Sequence, residues 1–408
     1  MQCGLLGRKL SHSYSPQIHK SLGSYSYCLY EVEPDNLEDF LSSAKFSGLN
    51  VTIPYKKEVI PYCSELSERA RKLGAVNTIV CRADGSLIGH NTDYFGFQSM
   101  LKKSGLSVSG KKALVLGSGG ASATVVAVLE EAGAHTIVIS RNGENNYQNI
   151  SRHTDAAVIV NATPVGMYPD VDHSPIDLSI FPKLEGVLDL IYNPARTKLL
   201  MQAEAMNLVA ENGLWMLVAQ AKESAEWFTG SLINDDCIAT IHNALQNQMK
   251  NLILIGMPGC GKSTIGNLLA QKTNREFVDA DAEIVKAAGK SIPEIFAEGG
   301  ETHFRQIETD VLSQLCKKSG SVIATGGGCV TQQENYPSLH RNGTIIWIKR
   351  DIDKLPTEGR PLSKAGHLHD MYEIRRSMYE SFCDISVDNH LDPEFAVDAI
   401  ISALHLED

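Results

Sequence analysis

Two units in which a strand passes through a glycine-rich turn into a helix constrain the fold of this 408-residue chain more than any other feature. In the first unit, the buried-strand pattern Lys-Lys-Ala-Leu-Val-Leu at 111–116 precedes the turn Gly-Ser-Gly-Gly-Ala-Ser at 117–122 and an apolar helix-like stretch that ends near residue 132. In the second unit, residues 251–255 precede a turn of the form G-x-x-x-x-G-K-S at 256–263. Such units are typical of parallel α/β sheets, where backbone N–H groups at the helix N-terminus meet phosphate groups. The sequence therefore predicts two separate phosphate-binding α/β units.

The composition is that of an ordinary globular protein and excludes several classes of function. Hydrophobic residues make up 43% of the chain, charged residues make up 21%, and the formal net charge of −11 argues against nonspecific binding of nucleic acid. The nine cysteines are odd in number and lack C-x-x-C spacing, so we expect neither a zinc site nor a disulfide framework. No apolar run approaches the ~20 residues of a membrane helix, and the N-terminal run is too short for a signal peptide. We therefore expect a cytoplasmic protein that does not contact a membrane.

Hydrophobic patterning divides the chain into three predicted domains. Residues 1–105 alternate short apolar runs with polar, helix-like stretches such as 65–73, which is typical of an α/β layer structure. Residues 106–248 continue the first glycine unit with further apolar strands, and within 234–249 we expect a helix that Asn234 and Asp235 can cap. Residues 249–408 begin with the second glycine unit, and no Pro-rich or Gly/Ser-rich linker precedes it. We therefore expect an α/β chain whose two halves follow each other closely.

Polar motifs add chemistry to the second glycine turn. Its glycines let backbone N–H groups surround phosphate oxygens, Lys262 can reach the outer phosphates, and the Ser263 hydroxyl can ligate Mg²⁺. A D-x-D pair at 279–281 ends the next strand, where one carboxylate suits magnesium and the other suits a hydroxyl proton or a polyol. Further motifs are G-E-x-x-F-R-x-x-E at 300–308, G-G-G at 326–328 and R-P-L at 360–362.

These motifs, in this order, make the last domain resemble shikimate kinases. The resemblance implies a P-loop kinase of the nucleoside-monophosphate-kinase type with a parallel sheet, which uses ATP and Mg²⁺ to phosphorylate shikimate. It implies that Lys262 and Asp281 are catalytic and that Ser263 and Asp279 serve the magnesium ion. An arginine often found shortly before R-P-L is missing from residues 351–354. The implied shikimate-binding residues are Asp281, Arg305, Gly327, Gly328 and Arg375, and the implied nucleotide-binding residues are Gly259, Cys260, Gly261, Lys262, Ser263, Thr264 and Arg360.

The first glycine turn has the degenerate form G-x-G-G-A-S and gains meaning from its surroundings. The strand before it and the helix after it match a dinucleotide-binding unit. The next strand ends in Ser140, Arg141 and Asn142, without an acidic residue. An acidic residue would bind a ribose 2′-hydroxyl, whereas an arginine suits a 2′-phosphate. The sequence therefore favours NADP over NAD.

Five further motifs flank this turn on both sides. They are S-x-S at 13–15, N-V-T-x-P-x-K at 50–56, A-V-N-T at 75–78, N-T-D at 91–93 and L-V-A-Q-A at 217–221. Together they make residues 1–248 resemble shikimate dehydrogenases. The resemblance implies an α/β substrate domain, a Rossmann-type NADP domain, and C-terminal helices that return to the substrate domain.

The same resemblance implies the chemistry of the first half. Lys56 and Asp93 would be the catalytic pair, in which the lysine gives a proton to the developing alkoxide and the aspartate holds the lysine. A second arginine usual in the family, a few residues after Arg141, is replaced by Gly-Glu-Asn at 143–145, which leaves the use of NAD open. The implied substrate-binding residues are Ser13, Ser15, Thr52, Asn77, Asp93, Tyr192 and Gln220, and the implied cofactor-binding residues are Gly117, Ser118, Gly119, Gly120, Ala121, Arg141, Asn161, Thr163, Gly213 and Met216.

The leading interpretation is a bifunctional enzyme that reduces 3-dehydroshikimate with NADPH and then phosphorylates the resulting shikimate with ATP. Two alternatives stay open: the first half accepts quinate as well as shikimate, or one half is a silent ligand-binding or assembly module. The presence of Lys56, Asp93, Lys262, Asp279 and Asp281 argues against a silent half. The expected partners are small molecules and no nucleic acid, and the resemblance is compatible with a small homo-oligomer.

Overall fold

The computed structural model of the protein describes residues 1–10, 13–43, 45–355 and 368–406. The chain forms two compact units, of which the first comprises Met1–Asn193 and Thr197–Asn243 and the second comprises Pro194–Arg196 and Ala244–Asp408. The first unit contains two sheets and the second contains one. Within the described residues, we find no helix with the length and hydropathy that a membrane span requires.

The first sheet is mixed. Its region contains β1 (Gln2–Gly7), α1 (Ser15–Leu22), β2 (Ser26–Glu31), α2 (Leu37–Ser42), β3 (Gly48–Val51), β4 (Glu65–Leu66), α3 (Glu68–Leu73), β5 (Thr78–Cys81), β6 (Leu87–His90) and α4 (Asp93–Ser104). The strand order is β2-β1-β3-β5-β6-β4, with β1 parallel to β2 and β3. β5 runs antiparallel to both of its neighbours, β3 and β6. The start of β5 therefore lies at the same sheet edge as the ends of β3 and β6.

The second sheet is parallel throughout. Its region contains β7 (Lys112–Leu116), α5 (Gly120–Glu131), β8 (His135–Ile139), β9 (Val158–Asn161), β10 (Gly186–Asp189), α6 (Lys198–Ala205), β11 (Val209–Glu211), α7 (Leu214–Thr229) and α8 (Asp236–Met249). The strand order is β11-β10-β9-β7-β8, so the chain adds β8 on one side of β7 and then β9 on its other side. Doubly wound sheets bind their ligands at this point between β7 and β9. α7 packs against α1 and α4, so this part of the chain returns to the region of the first sheet.

The third sheet is also parallel, which confirms the predicted fold class. Its region contains β12 (Asn251–Ile255), α9 (Lys262–Lys272), β13 (Glu276–Asp279), α10 (Ala280–Ala288), α11 (Ile292–Leu315), β14 (Ser321–Ala324), α12 (Asn335–Asn342), β15 (Gly343–Lys349), α13 (Leu368–Phe382), β16 (Ile385–Asp388) and α14 (Pro393–Leu404). The strand order is β13-β14-β12-β15-β16, so β12 with its glycine turn is central. α11 is interrupted at Gly300, whose φ of 69° lies outside the helical region.

One helix begins later than the sequence predicts, and another begins directly after its expected caps. The stretch 65–73 is divided, since β4 pairs with β6 before α3 begins. Ser67 causes this division: its hydroxyl accepts the N–H of Ala70 and caps α3, so the residues before it are free to extend. The helix for which Asn234 and Asp235 are the expected caps spans Asp236–Met249, and the side chain of Asn234 accepts the N–H of Asp236.

Candidate active sites

One edge of the first sheet brings Lys56, Asn77 and Asp93 together. Lys56 follows β3, Asn77 immediately precedes β5, and Asp93 begins α4 after β6. Because β5 is antiparallel to both neighbours, these three positions are adjacent in space although they are spread along the sequence. The strand topology therefore assembles the polar residues of three separate motifs.

Lys56 and Asp93 form a close ion pair. Nζ of Lys56 lies 2.5 Å from Oδ2 of Asp93, and the two side chains are 21% and 10% exposed. Nδ2 of Asn77 donates a hydrogen bond of 2.9 Å to the other carboxylate oxygen, Oδ1. With a donor on each oxygen, the carboxylate is fixed and in turn orients the ammonium group. An oriented ammonium that keeps some access to solvent is suited to deliver a proton to a bound substrate.

A buried network of amide and hydroxyl groups supports this pair. Oδ1 of Asn77 accepts the N–H of Thr92 at 2.7 Å, and its Nδ2 donates to the Thr92 hydroxyl at 3.0 Å. The Ser224 hydroxyl lies 2.9 Å from the hydroxyls of both Thr78 and Thr92, and it accepts from Nδ2 of Asn50 at 2.7 Å. All five of these residues are buried. The network therefore links β3, β5, α4 and α7 behind the ion pair.

Ser224 connects this network to the predicted substrate residue Gln220. Its hydroxyl donates to the Gln220 carbonyl one helical turn earlier, at 2.9 Å, so its oxygen is left to accept from the surrounding groups. Oε1 of Gln220 lies 3.5 Å from the Thr92 hydroxyl. Ser224 lies outside the five motifs, although its spacing from Gln220 places both on one helix face. Asn50, Thr78 and Thr92 stand inside those motifs, but the family resemblance implied no role for them.

The other predicted substrate residues lie in the same unit. Ser15 begins α1 and its N–H is bonded to the hydroxyl of Ser13 at 3.2 Å, while the N–H of Thr52 bonds the end of β3 to β1. The ring of Tyr192 meets that of Tyr14 edge to face, with centroids 6.2 Å apart. In the described part of the chain, none of these predicted residues is hydrogen-bonded to the Lys56–Asp93 pair itself.

The first glycine turn lies at the carboxyl end of β7, beside the end of β9. Gly117 has a φ of 102°, which favours glycine, and a Cβ atom there would lie 2.9 Å from Cγ2 of Thr163. Gly119 precedes α5 and Gly120 begins it. A Cβ atom at either glycine would have no heavy atom within 4 Å, so the approach to the helix N-terminus is open.

Asn161 shapes the turn after β9 from within. It is fully buried, its Oδ1 accepts from the N–H and hydroxyl of Thr163 at 3.0 and 2.7 Å, and its Nδ2 donates to Asp189 at 3.0 Å. Burial raises the pKa of Asp189 to about 6, while hydrogen bonds from Thr197, the N–H of Ile191 and Asn161 lower it. Asn161 therefore positions Thr163, which is half-buried, beside the first glycine turn.

Gly213 and Met216 lie where the chain enters α7. A Cβ atom at Gly213 would lie 2.0 Å from the carbonyl oxygen of Leu190, so this close approach requires glycine. Met216 is 8% exposed, and its backbone packs against Gly96 of α4, where a Cβ atom would lie 2.8 Å from the Met216 carbonyl. These predicted cofactor residues thus help to seat α7 between the two sheets of the first unit.

Arg141 follows β8, which pairs with β7, so it lies at the same edge as the first glycine turn. It is exposed, and it makes no hydrogen bond or ion pair with the residues that the structure describes. The loop after it is closed by a bond of 3.1 Å from the N–H of Ser140 to the carbonyl of Asn145. The guanidinium group is therefore available to an anion at this edge.

In the second unit, the glycine turn joins β12 to α9. Gly256 and Gly261 have φ values of 144° and 102°, which favour glycine. A Cβ atom at Gly256 would lie 2.4 Å from the carbonyl oxygen of Ile348, so the turn packs directly on β15. Nζ of Lys262 donates to the carbonyls of Gly256 and Met257 at 2.9 and 3.1 Å, which holds the ammonium inside the turn.

Ser263 and Asp279 form a hydroxyl–carboxylate pair beside the turn. The Ser263 hydroxyl donates to Oδ2 of Asp279 at 2.7 Å, and Oδ1 of Asp279 caps α10 by accepting the N–H groups of Asp281 and Ala282. This oxygen pair fits Mg²⁺, which takes few protein ligands and keeps positions for phosphate and water. Across the described residues, no cluster of three or more His, Cys, Asp or Glu side chains could hold a metal by itself. The site therefore suits a magnesium ion that also binds a nucleotide.

Arg305 lies in the part of α11 that follows the break at Gly300. Its Nη1 donates to Glu308 at 2.6 Å and its Nη2 donates to Glu301 at 3.0 Å. Burial raises the pKa of Glu308, and the charge of Arg305 lowers it. A Cβ atom at Gly328 would lie 2.1 Å from Nη2 of Arg305, so the third residue of G-G-G makes room for the guanidinium group.

Arg375 and Tyr379 extend from α13 to the same glycine segment. Nη1 of Arg375 donates to the Gly327 carbonyl at 3.1 Å, and the Tyr379 hydroxyl donates to the same oxygen. A Cβ atom at Gly327 would lie 2.6 Å from Cδ of Pro258, so this segment also packs on the glycine turn. The contacts place α13, the G-G-G segment and the phosphate-binding turn around one space.

That space is a cavity of about 670 Å³. Val285, Ile292, Phe296 and Phe304 contribute apolar surface to it. Arg360 and the R-P-L motif lie within residues 356–367, outside the described part of the chain. The cavity brings together the predicted residues Gly259, Gly261, Lys262, Ser263, Thr264, Asp279, Asp281, Arg305, Gly327, Gly328 and Arg375, and it adds Arg350, which the sequence analysis missed.

Comparisons with known proteins match both halves. The family model of the shikimate dehydrogenase substrate binding domain matches residues 5–79, and that of shikimate kinase matches residues 258–405. The shikimate dehydrogenase (NADP(+)) of Clostridium beijerinckii is 36% identical over 270 residues, with 60% of this chain and 98% of that protein covered.

Solved structures agree with this match. The chorismate mutase/shikimate 5-dehydrogenase fusion protein from Clostridium acetobutylicum is 39% identical with a TM-score of 0.57, and the match covers 60% of this chain and 97% of that one. The quinate dehydrogenase from Corynebacterium glutamicum, solved in complex with NAD, is 28% identical with a TM-score of 0.55, and the match covers 60% and 98% of the two chains.

Proposed function

Because this chain belongs to the shikimate dehydrogenase family over its N-terminal 60% and carries a shikimate kinase domain at residues 258–405, we propose that it catalyses two successive reactions. The first is the reduction of 3-dehydroshikimate to shikimate with NADPH. The second is the transfer of a phosphoryl group from ATP to shikimate. The observation that carries the proposal is that both polar sites are assembled in one chain: the Lys56–Asp93 pair and the cavity around Lys262.

In the dehydrogenase half, we assign acid catalysis to Lys56. NADPH supplies the hydride when it is bound. The ammonium of Lys56 donates a proton to the substrate oxygen, and Asp93, held by Asn77, keeps that ammonium aimed. The hydroxyl and carboxylate groups of the substrate are assigned to Ser13, Ser15, Thr52, Asn77, Tyr192 and Gln220.

The cofactor assignment depends on the first glycine turn and on Arg141. The N-terminus of α5 suits a pyrophosphate, because helix N–H groups bind phosphate oxygens and the space beside Gly119 and Gly120 is open. Arg141 is exposed and unpaired among the described residues, which supports binding of a 2′-phosphate and hence NADP. Since the second arginine is absent, we propose that the dehydrogenase half prefers NADP but does not strictly exclude NAD.

In the kinase half, the residues of the cavity position the reactants and supply positive charge. Phosphoryl transfer needs little covalent help from a protein, so orientation and charge supply most of the catalysis. Ser263 and Asp279 would hold the magnesium ion, which screens phosphate charge when it is bound. Asp281 would accept the proton of the attacking hydroxyl, and the guanidinium of Arg305 would bind the shikimate carboxylate. Arg375 and Lys262 would add charge near the transferred group.

The organisation of the chain is part of the proposal. We assign three domains, residues 1–105, 106–248 and 249–408, because each of the three sheets falls within one of these ranges. All nine cysteines are free, which supports a cytoplasmic location. Small homo-oligomers are a prediction that sedimentation of the full-length chain would test.

A coupled assay tests both reactions at once. The full-length chain is incubated with 3-dehydroshikimate, NADPH, ATP and Mg²⁺, and we expect NADPH to be consumed and shikimate 3-phosphate to form. Without ATP, shikimate should accumulate; with shikimate and ATP alone, the phosphorylated product should still form. The absence of either reaction would show that half to be silent. Comparing oxidation of quinate and shikimate with each coenzyme decides whether the first half has broader specificity.

A further inference from the structure

Arg350 lies at the phosphate-binding cavity without an assigned role. It follows β15 directly and lines the same cavity as Pro258, Gly259 and Lys262 of the glycine turn. It is half-buried. A cation at this place is unexpected from the sequence, because the motif of the turn lies almost a hundred residues earlier.

The register of the sheet explains how Arg350 reaches the turn. Trp347 of β15 pairs with Ile255, the last residue of β12. The next carbonyl along β15, that of Ile348, lies against Gly256, where a Cβ atom would be only 2.4 Å away. Arg350 stands two residues beyond Ile348 and on the same face of the chain. β15 therefore brings the Arg350 side chain beside the glycine turn.

Strand order places Arg350 on the side of the glycine turn opposite Asp281 and the G-G-G segment. Asp281 follows β13 and the G-G-G segment follows β14, and both strands lie to one side of β12. Arg350 follows β15, on the opposite side of β12. Arg375 on α13 also comes after β15, but its side chain reaches the Gly327 carbonyl, whereas Arg350 directly follows the strand that packs on Gly256. Arg350 is therefore placed beside the glycine turn, where the nucleotide is assigned.

The N–H donors of Arg350 also have no acceptor among the described residues. Arg305 is paired with carboxylates on its own helix, Arg375 donates to a glycine carbonyl, and Lys262 donates to two carbonyls of its turn. Arg350 makes no hydrogen bond or ion pair within the described ranges. The carboxylate of the adjacent Asp351 accepts the backbone N–H of Asp353. Of the described cations that line the cavity, Arg350 alone has all of its donors available.

We propose that Arg350 binds the phosphate chain of the nucleotide and completes the binding site formed by the glycine turn. This inference rests on the proposed kinase function. A guanidinium group has five N–H donors and no acceptor, which matches phosphate oxygens, and its fixed charge stabilises negative charge on the transferred group. The arginine that is missing from residues 351–354 thus has a counterpart directly after β15.

Lys349 provides a matched control on the same strand. It is a cation adjacent to Arg350, but its Nζ lies 4.9 Å from the centroid of the Trp347 ring, on the other face of β15. It does not line the cavity. If positive charge near the turn acts only in a general way, the loss of either residue should weaken phosphate binding. If Arg350 contacts the phosphate, only the loss of Arg350 should weaken it.

The test is calorimetric titration of the full-length chain with inorganic tripolyphosphate, ADP, adenosine and shikimate, in the presence of Mg²⁺. The variants are Arg350→Gln, Arg350→Lys and Lys349→Gln. We expect Arg350→Gln to weaken binding of tripolyphosphate and ADP by about 10-fold to 100-fold, as for loss of a charged hydrogen bond, and to leave adenosine and shikimate unchanged. Arg350→Lys should restore part of the affinity, and Lys349→Gln should behave as the wild type.

The outcomes separate this inference from the function on which it rests. If Arg350→Gln binds tripolyphosphate as tightly as the wild type, or loses affinity only for adenosine or shikimate, Arg350 does not bind the phosphate chain. If the wild-type chain binds neither tripolyphosphate nor ADP, the kinase function itself fails, and the inference fails with it. The dehydrogenase activity of the same chain and its thermal unfolding report whether each variant is folded.

Discussion

Nζ of Lys56 lies 2.5 Å from Oδ2 of Asp93, whose other oxygen accepts the amide of Asn77. The next residue, Lys57, is exposed and has no such partner among the described residues. Two consecutive lysines therefore differ in one respect that matters for catalysis: only the first is held in a fixed direction. This contrast gives a direct test of the acid assigned to the dehydrogenase.

Lys56→Ala should lower the turnover number of shikimate oxidation by about 10²–10⁴-fold, because the proton donor or acceptor is lost. Phosphorylation of shikimate by the same chain should be unchanged. Lys57→Ala is the control and should leave both activities intact. Steady-state kinetics of the two reactions provide the measurement. An equal loss of both activities in Lys56→Ala would contradict the assignment of independent sites.

Ser224→Ala should affect both stability and dehydrogenase activity. The change removes the acceptor of the Asn50 amide and the hydroxyl that is bonded to those of Thr78 and Thr92, which costs about 1–3 kcal/mol in the free energy of unfolding. We expect kcat/KM for shikimate to fall about 10-fold as Gln220 and its neighbours lose their orientation, a cost of similar size.

Thr229→Ala is the control for Ser224→Ala. Thr229 lies on the same helix and its hydroxyl also donates to the carbonyl four residues earlier, but the residue is exposed. It should change neither the urea-unfolding midpoint nor the kinetics. Restoration of kcat/KM by Ser224→Thr, which retains the hydroxyl, would support the positioning role. Wild-type kinetics in Ser224→Ala would refute it.

The second glycine turn shows what the sequence can predict, and Ser224 and Arg350 show what it cannot. The glycine turn at 256–263 and its lysine are local in the chain, so a short pattern identified them. Ser224 depends on how α7 packs against the first sheet, and Arg350 depends on β15 lying beside β12. Neither packing nor strand order is encoded in a local spacing, so both residues became visible only in the folded chain.

Gly328→Ala should raise KM for shikimate at least about 10-fold. A Cβ atom at this position would lie 2.1 Å from Nη2 of Arg305, so the guanidinium group must move from its place in the cavity. The lost interaction is a hydrogen bond to a charged group, worth about 1.5–3 kcal/mol. KM for ATP and the dehydrogenase activity should change little, and both serve as internal controls. An increase confined to KM for ATP would place Arg305 with the nucleotide instead.

Arg141→Ala should weaken the use of NADP and leave the use of NAD nearly unchanged. The guanidinium is exposed at the end of β8, beside the first glycine turn, where it can reach a 2′-phosphate. Loss of a charged hydrogen bond predicts an increase of about 10-fold to 100-fold in KM for NADP. Arg152→Ala, which removes another exposed arginine of this region, is the control. Equal effects on both coenzymes would remove Arg141 from 2′-phosphate recognition.

Glu223→Gln should alter how the stability of the first unit depends on pH. Burial raises the pKa of Glu223 to about 7, against a partial lowering by Arg69. Between its ordinary pKa and about 7, the folded chain therefore binds more protons at this site than the unfolded chain does, so stability falls as pH rises. Because of this carboxyl, the wild type should lose on the order of 2 kcal/mol in the free energy of unfolding between pH 5 and pH 8, and Glu223→Gln should not show that loss.

Urea unfolding of the first unit at both pH values measures this effect. Glu68→Gln replaces an exposed glutamate on α3 and serves as the control, for which we expect the same pH dependence as in the wild type. If Glu223→Gln retained the full loss of stability between pH 5 and pH 8, the proton at this site would not be responsible.

The central position of β12 has a consequence for how the kinase half can diversify. Asp281 and the G-G-G segment follow β13 and β14 on one flank, and Arg350 follows β15 on the other. Arg375, which is also assigned to shikimate, reaches the G-G-G segment from α13 after β15, and Asp279, which is assigned to magnesium, ends β13. Both flanks therefore serve both binding tasks, so an exchange of the loops after β13 and β14 to accept another alcohol must keep Asp279 and the contact of Arg375 with Gly327.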